Sequence, residues 1–266
     1  MKVLLSGAAG SIGTVLTLGL ADRGHEIVGF DRVPRPEGHD GPWYTGDCAD
    51  PDAVAEVFDE ERFDAVVHMA GHAGEGSLPD SLTSHVITTA ALLDAMVEHD
   101  VRRFVYGGSN HAVGRTPRAD LLGLDVRPRP DTFYGVAKVA AEGLMSLYAD
   151  RYGIDAVSCR IGSFLERPET VRNLSTWLSP DDCVRMVDAA LTTTAPGFAV
   201  LYGISDNTRA WWDLEPGRAL GYQPQDDAED FLSSIVTGPW DEAHGTHVGG
   251  PYATAEFERP ALDRSS

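Results

Sequence analysis

Lysine is almost missing from this 266-residue chain: of 21 basic residues only Lys2 and Lys138 are lysines, the rest being arginines. Positive charge of either kind is short, 21 basic against 41 acidic residues, for a formal net charge of −20. Such a surface repels a phosphate backbone, which excludes nucleic acid as a partner. The acids are spread along the chain and read as a solvated surface, so a small anion would need a local basic group to hold it. Cysteine is scarce too. Cys48, Cys159 and Cys183 lie far apart without a CxxC spacing, as expected for reduced thiols in a cytoplasmic protein. No apolar run approaches the eighteen or so residues of a membrane span, so no membrane partner is expected. The opening run Met1–Leu5 is too short for a signal segment and enters a glycine-rich turn at once. There is no internal repeat.

What is present is a sufficient core, 42% hydrophobic residues with 23% charged, in a length that suits one large α/β domain. Strand and helix patterns alternate. Val3–Leu5 reads as a buried strand, 11–23 as a helix with Ile12, Val15, Leu16 and Leu20 at helical spacing, and 26–30 as a second strand ending at Asp31. After a polar, proline-rich loop and a short strand, Asp50-Pro51 starts a helix as an N-cap and first-turn proline should. Further strands are expected at 64–69, 103–106, 156–160 and 198–202, and helices at 78–99, 131–152, 180–191 and 228–235. The alternation predicts a doubly wound parallel sheet with helices on both faces. Within a single domain, residues 1–160 form the core, 161–237 supply substrate-binding elements, and 238–266 form an extended tail.

Gly7-Ala8-Ala9-Gly10-Ser11-Ile12-Gly13 is a GxxGxxG turn leaving a strand and opening a helix. Glycine permits the tight turn and a close backbone approach, while the free N–H groups of the helix end suit a pyrophosphate. Gly13 lets helix and strand pack closely. Asp31, 18 residues further on at the end of the second strand, is placed to bind the adenosine ribose hydroxyls and to repel a 2′-phosphate. The turn and the acid together predict a Rossmann-type site for NAD rather than NADP. Gly7, Gly10, Ser11, Ile12, Gly13, Asp31, Asp47 and Cys48 are its candidate residues, with Asp47 a candidate for the adenine amine.

Tyr134-Gly135-Val136-Ala137-Lys138 puts a phenol and an amine on one helix face, four residues apart. A free phenol is a poor base at neutral pH, and a neighbouring cation stabilises its phenolate. The pair therefore suits a base, Tyr134, supported by Lys138, which is also expected to hold the nicotinamide ribose. Ser109 follows the 103–106 strand at the carboxyl edge of the sheet, where it is placed to polarise a substrate oxygen.

These motifs resemble the short-chain dehydrogenase/reductase superfamily in its extended, epimerase-like branch. Within it, 108–114 (GSNHAVG), the YGVAK stretch, Arg160–Ser163, 172–182 (RNLSTWLSPDD) and Trp211-Trp212-Asp213 are similar to the uronate dehydrogenases, nearly end to end. The resemblance implies oxidation of a hexuronic acid at its anomeric carbon, with hydride passing to NAD and an aldarolactone as first product. It also implies that Arg172 grips the substrate carboxylate, that Ser109, Asn110, His111 and Ser163 bind sugar hydroxyls, and that Tyr134 takes the C1 hydroxyl proton. At least a dimer is expected, paired through the Tyr–Lys helix. Two positions depart from the pattern: Ala73 replaces a substrate-contacting serine, with 74–77 as the region for a substitute, and His85 stands where an asparagine is usual. His68 and His72 flank a strand end without metal-ligand spacing, so no metal is expected. A nucleotide-sugar epimerase or dehydratase with tightly bound NAD is the alternative, and the shortness of the chain beyond residue 160 opposes it. A non-catalytic NAD sensor is opposed by the intact Tyr134, Lys138 and Ser109.

Overall fold

The computed structural model describes residues 1–37, 39, 41–255 and 257. In chain order the strands are β1 (Lys2–Ser6), β2 (Glu26–Asp31), β3 (Trp43–Thr45), β4 (Ala65–His68), β5 (Arg103–Tyr106), β6 (Asp155–Ile161), β7 (Ser163–Phe164), β8 (Trp177–Leu178) and β9 (Phe198–Gly203). Seven of them form one sheet in the order β3-β2-β1-β4-β5-β6-β9, parallel throughout. The chain winds outward from β1 to β3 and then back past β1 to β9. The reversal lies between β1 and β4, the place where open α/β sheets leave a crevice for ligands.

The helices are α1 (Ser11–Asp22), α2 (Pro51–Glu60), α3 (Leu78–Leu82), α4 (Thr88–Glu98), α5 (Phe133–Tyr152), α6 (Asn173–Thr176), α7 (Pro180–Thr192), α8 (Glu215–Ala219) and α9 (Asp241–His244). Neighbouring residues of a strand face opposite sides, and both sides are covered. Val3 and Leu5 pack with Leu16, Leu20, Met186 and Val187 under α1 and α7, while Leu4 packs with Val57, Phe58, Leu92 and Met96 under α2 and α4. Burial on both faces is why these strands read as continuous apolar runs.

Local chemistry sets the boundaries. Asp50 caps α2 by accepting from Asp52 N, with Pro51 in the first turn. The Tyr–Lys helix begins at Phe133 rather than 131, because Thr132 takes the cap and accepts from Gly135 N at 2.8 Å. The helix expected over 78–99 is interrupted. Residues Thr83–Ile87 form a π-turn between α3 and α4, and the hydroxyls of Thr88 and Thr89 donate to the carbonyls of Ser84 and His85. Ala228–Ser234 is a 3-10 helix.

The segment from 238, expected as an extended tail, is folded onto the body over its described part. It carries α9 and a 3-10 turn at Gly250–Ala253, and Val248 is fully buried. Burying one such side chain contributes about 1.5–3 kcal/mol, and backbone bonds tie the segment to the 114–118 loop through Arg118 N to Thr246 O and Val248 N to Thr116 O. Among the described residues no helix is long and apolar enough to cross a membrane.

Candidate active site

One cleft runs along the carboxyl edge of the sheet in two halves that share Met69 and Gly71. The first half is lined by Gly7, Gly10, Asp31, Asp47 and Cys48, among others. Its geometry fits a dinucleotide. Gly7 has φ +73, and a Cβ there would lie 2.5 Å from Ala70 N; a Cβ on Gly13 would lie 2.1 Å from Gly7 O. Side chains at either position would displace backbone, so the turn is as tight as the glycine spacing demands. No side chain caps α1, which leaves its first-turn N–H groups for an anion. Asp31 accepts from Ala9 N at 3.0 Å and Val33 N at 3.3 Å, which fixes its carboxylate at the cleft edge. Burial pushes the Cys48 thiol up to about 12, partly offset by a hydrogen bond with Ser6, so the sulfur is uncharged there. Gly13 is buried beneath the turn and Ser11 is exposed at the first position of α1; neither is among the lining residues, whereas Ile12 lines the second half.

The second half gathers Ser109, Asn110, His111, Tyr134 and Lys138. Lys138 Nζ donates to Gly107 O at 2.6 Å and lies 4.5 Å from the Tyr106 ring centre and 5.3 Å from that of Tyr134. Burial lowers the amine to about 7, with Glu142, one helical turn on, opposing. Burial raises the Tyr134 phenol to about 12; the hydrogen bond with Ser109 acts downward, and Tyr252 and Asp131 add to the rise. Lys138 is not among the causes of that rise, since the amine, aimed at Gly107 O and driven toward neutrality, is uncharged by the pH at which the phenol ionises. Behind Lys138, Glu142 is held by Ser158 Oγ at 3.0 Å and by Arg160 Nε and Nη2 at 2.9 and 2.8 Å, a buried two-pronged ion pair.

The remaining candidates form a wall and its backing. Ser109 Oγ accepts from His111 N at 3.1 Å. His111 Nδ1 sits 2.9 Å from the buried Asp131 carboxylate, and its ring meets Tyr134 and Tyr252 edge-on. Asn110 Nδ2 donates to Val248 O at 3.0 Å. Ser163 and Arg172 are together but lie behind that wall and are not lining residues. Arg172 donates to Ser163 Oγ at 3.1 Å and to Val248 O at 2.7 Å. Burial lowers its guanidinium to about 10, with Asp131 and Tyr252 opposing. Val248 O thus receives both Asn110 and Arg172, so the folded-back segment joins the two groups.

Among the other lining residues are Glu75, His85, Gly162 and Tyr252, to which the sequence assigned no binding role. Glu75 falls in the 74–77 stretch named as the place for a substitute for Ala73; its Oε1 accepts from Phe133 N at 3.2 Å and its Oε2 is buried without a partner. Tyr252 was hidden in the supposed tail, where the GGPY run (249–252) was the available signal, a turn followed by an aromatic.

The NAD dependent epimerase/dehydratase family model matches residues 3–176. The uronate dehydrogenase of Pseudomonas putida is 34% identical, over 96% of this chain and 96% of its own. A solved uronate dehydrogenase mutant from Agrobacterium tumefaciens, complexed with NAD, superposes with a TM-score of 0.88 at 32% identity and covers 98% of both chains. A protein of Haloferax volcanii named NAD-dependent glucose-6-phosphate dehydrogenase is 34% identical over 91% of this chain and 98% of its own. With the glycine turn, Asp31 and the Tyr134–Lys138 pair placed as the geometry above describes, the chain belongs to the NAD dependent epimerase/dehydratase family and, within it, to the uronate dehydrogenase homologues.

Proposed function

We propose that this chain oxidises a hexuronic acid, glucuronate or galacturonate, at C1 to the aldarolactone. The convergence of Tyr134, Lys138 and Ser109 in a cleft continuous with the Asp31 half carries the proposal. NAD, when bound, supplies the hydride acceptor; Gly7, Gly10, Asp31 and Asp47 hold its adenosine half and Lys138 its nicotinamide ribose. Tyr134 takes the C1 hydroxyl proton as hydride leaves C1 and the lactone carbonyl forms. Above about pH 7 the Tyr134–Lys138 pair has one proton to share, as phenol with amine or as phenolate with ammonium. The second arrangement is the base, and Ser109 supports it by donating to the phenolate. Asn110 and His111 bind sugar hydroxyls from the wall, and Ser163 and Arg172 join them, for a hydroxyl and the carboxylate, when the Arg172 fork swings off Val248 O. Residues 1–160 serve the cofactor, and 161–237 with the folded-back segment close the substrate side.

NADH absorbance with NAD and each uronate, beside Tyr134→Phe and Arg172→Ala, tests this. Uronate-dependent NADH formation, abolished in the first variant and given a raised KM in the second, supports it. No NADH from any uronate, with NAD released only on denaturation, sinks it in favour of an epimerase-type enzyme that keeps its cofactor. A sugar phosphate is the second reading, favoured by the Haloferax relative and by an arginine fork that suits phosphate equally; glucose 6-phosphate belongs in the same assay.

The enzyme is further inferred to be cytoplasmic and at least dimeric. Val136, Ala140, Gly143 and Leu147 form an exposed, uncharged stripe along α5, the surface through which a second copy would pack.

A further inference from the structure

One buried imidazole in the cleft has two nitrogens, and only one is satisfied. His85 is 2% exposed and sits in the π-turn between α3 and α4. Its Nε2 lies 3.0 Å from His72 O. A carbonyl only accepts, so Nε2 carries the ring proton. Burial, and then the Lys138 charge, lower this histidine to about 3, which keeps the ring neutral and leaves no proton for Nδ1. Nδ1 is therefore a bare acceptor, and it is buried without a partner. Such an atom carries an uncompensated desolvation cost until a donor arrives.

Its position says where the donor comes from. The His85 ring lines the Tyr134 half of the cleft and meets the Tyr134 ring edge-on, centres 5.0 Å apart. A Cβ on Gly71 would lie 2.6 Å from His85 Nδ1, and Gly71 lines both halves. Nδ1 thus stands at the seam between the dinucleotide half and the reactive half. Lys138, whose charge acts on His85, already donates to Gly107 O. The π-turn that presents the ring is pinned: Thr89 Oγ1 donates to His85 O at 2.6 Å and Thr88 Oγ1 to Ser84 O at 2.8 Å. Irregular turns of this kind persist where a side chain must be aimed.

We propose that His85 Nδ1 binds ligand, accepting a hydrogen bond from a hydroxyl that crosses the seam: a ribose hydroxyl of the dinucleotide or a hydroxyl of the sugar acid. The sugar arm rests on the uronate function proposed above; the ribose arm rests only on NAD binding. The neutral, singly protonated ring makes the site selective for donors, so a deoxy analogue or a carboxylate oxygen at the same place gains nothing.

The test uses the full-length enzyme labelled with ¹⁵N-histidine, titrated with NADH and then with NADH plus galacturonate, a combination that does not turn over. The Nδ1 resonance, assigned by its loss in His85→Phe, is expected in the unprotonated-acceptor range and should shift toward the hydrogen-bonded value at one of the two additions. A shift with NADH identifies the ribose; a shift only with galacturonate identifies the sugar. His85→Phe should then weaken the corresponding step roughly three- to tenfold, read as NADH Kd by fluorescence or as uronate KM at unchanged NADH Kd. An Nδ1 resonance that stays put through both additions overturns the proposal, as does one that starts as the protonated nitrogen. Uronate turnover by the wild type in that outcome separates this failure from failure of the proposed function.

Discussion

Replacing Lys138 by methionine removes the amine that shares a proton with Tyr134. In the wild type the first proton leaves the pair near pH 7, from the amine, and the proton that remains can sit on either partner. In the variant only the phenol is left to ionise. Lys138 is not among the causes of the Tyr134 shift, so the phenol stays at about 12. At pH 8 the phenolate fraction is then on the order of 10⁻⁴, so the ammonium of the pair supplies at most those four units, about 5–6 kcal/mol at about 1.4 kcal/mol each. The expected kcat/KM for uronate at pH 8 falls by up to about 10⁴-fold. The sharper signature is the pH profile. The wild type levels off above about pH 7, whereas the variant climbs tenfold per unit through pH 7 to 10 with no plateau. NADH binding by fluorescence and a melting curve report whether the fold and the cofactor half survive. A variant that loses less than tenfold, or whose profile plateaus like that of the wild type, refutes the shared-proton account.

Asp31→Ala removes the acceptor that orders the Ala9 and Val33 amides and faces the adenosine half; NAD affinity should drop roughly ten- to hundredfold while NADP weakens less, measured as the ratio of the two kcat/KM values. Glu142→Gln strands the buried Arg160 guanidinium, which already has Nη1 unpartnered; about 3–5 kcal/mol should be lost in urea unfolding, and pairing it with Arg160→Met should restore much of it. An unchanged midpoint in the single variant would show that the pair contributes nothing. His85 and His68 are both lowered by burial, so the unfolded chain binds their protons first as pH falls. Stability should therefore fall with pH from about 6.5 toward 3, by up to about 1.4 kcal/mol per unit for each ring, and His85→Phe should flatten that slope in melts taken between these limits.

How much of this was legible beforehand depended on how local the signal was. The glycine turn, Asp31 at a strand end and the Tyr134–Lys138 spacing each lie within one or two elements. Asp50-Pro51 likewise marked the start of α2 through its cap chemistry alone. The π-turn at Thr83–Ile87 left no such mark, because inserting one residue into a helical run hardly alters its apolar period.

The sequence by itself determined the parallel sheet, the cofactor half of the cleft and the pairing of phenol with amine, since backbone propensity, strand alternation and a four-residue helical spacing are short-range rules. Only the tertiary structure decided the rest. Burial, which no spacing reports, moved Lys138 to about 7 and Tyr134 to about 12. It placed Arg172 and Ser163 behind the wall rather than in it, and it folded Val248 and Tyr252 from the end of the chain onto Asn110, Arg172 and His111. These outcomes depend on which distant segments exclude water from one another, and that is settled only when the whole chain has packed.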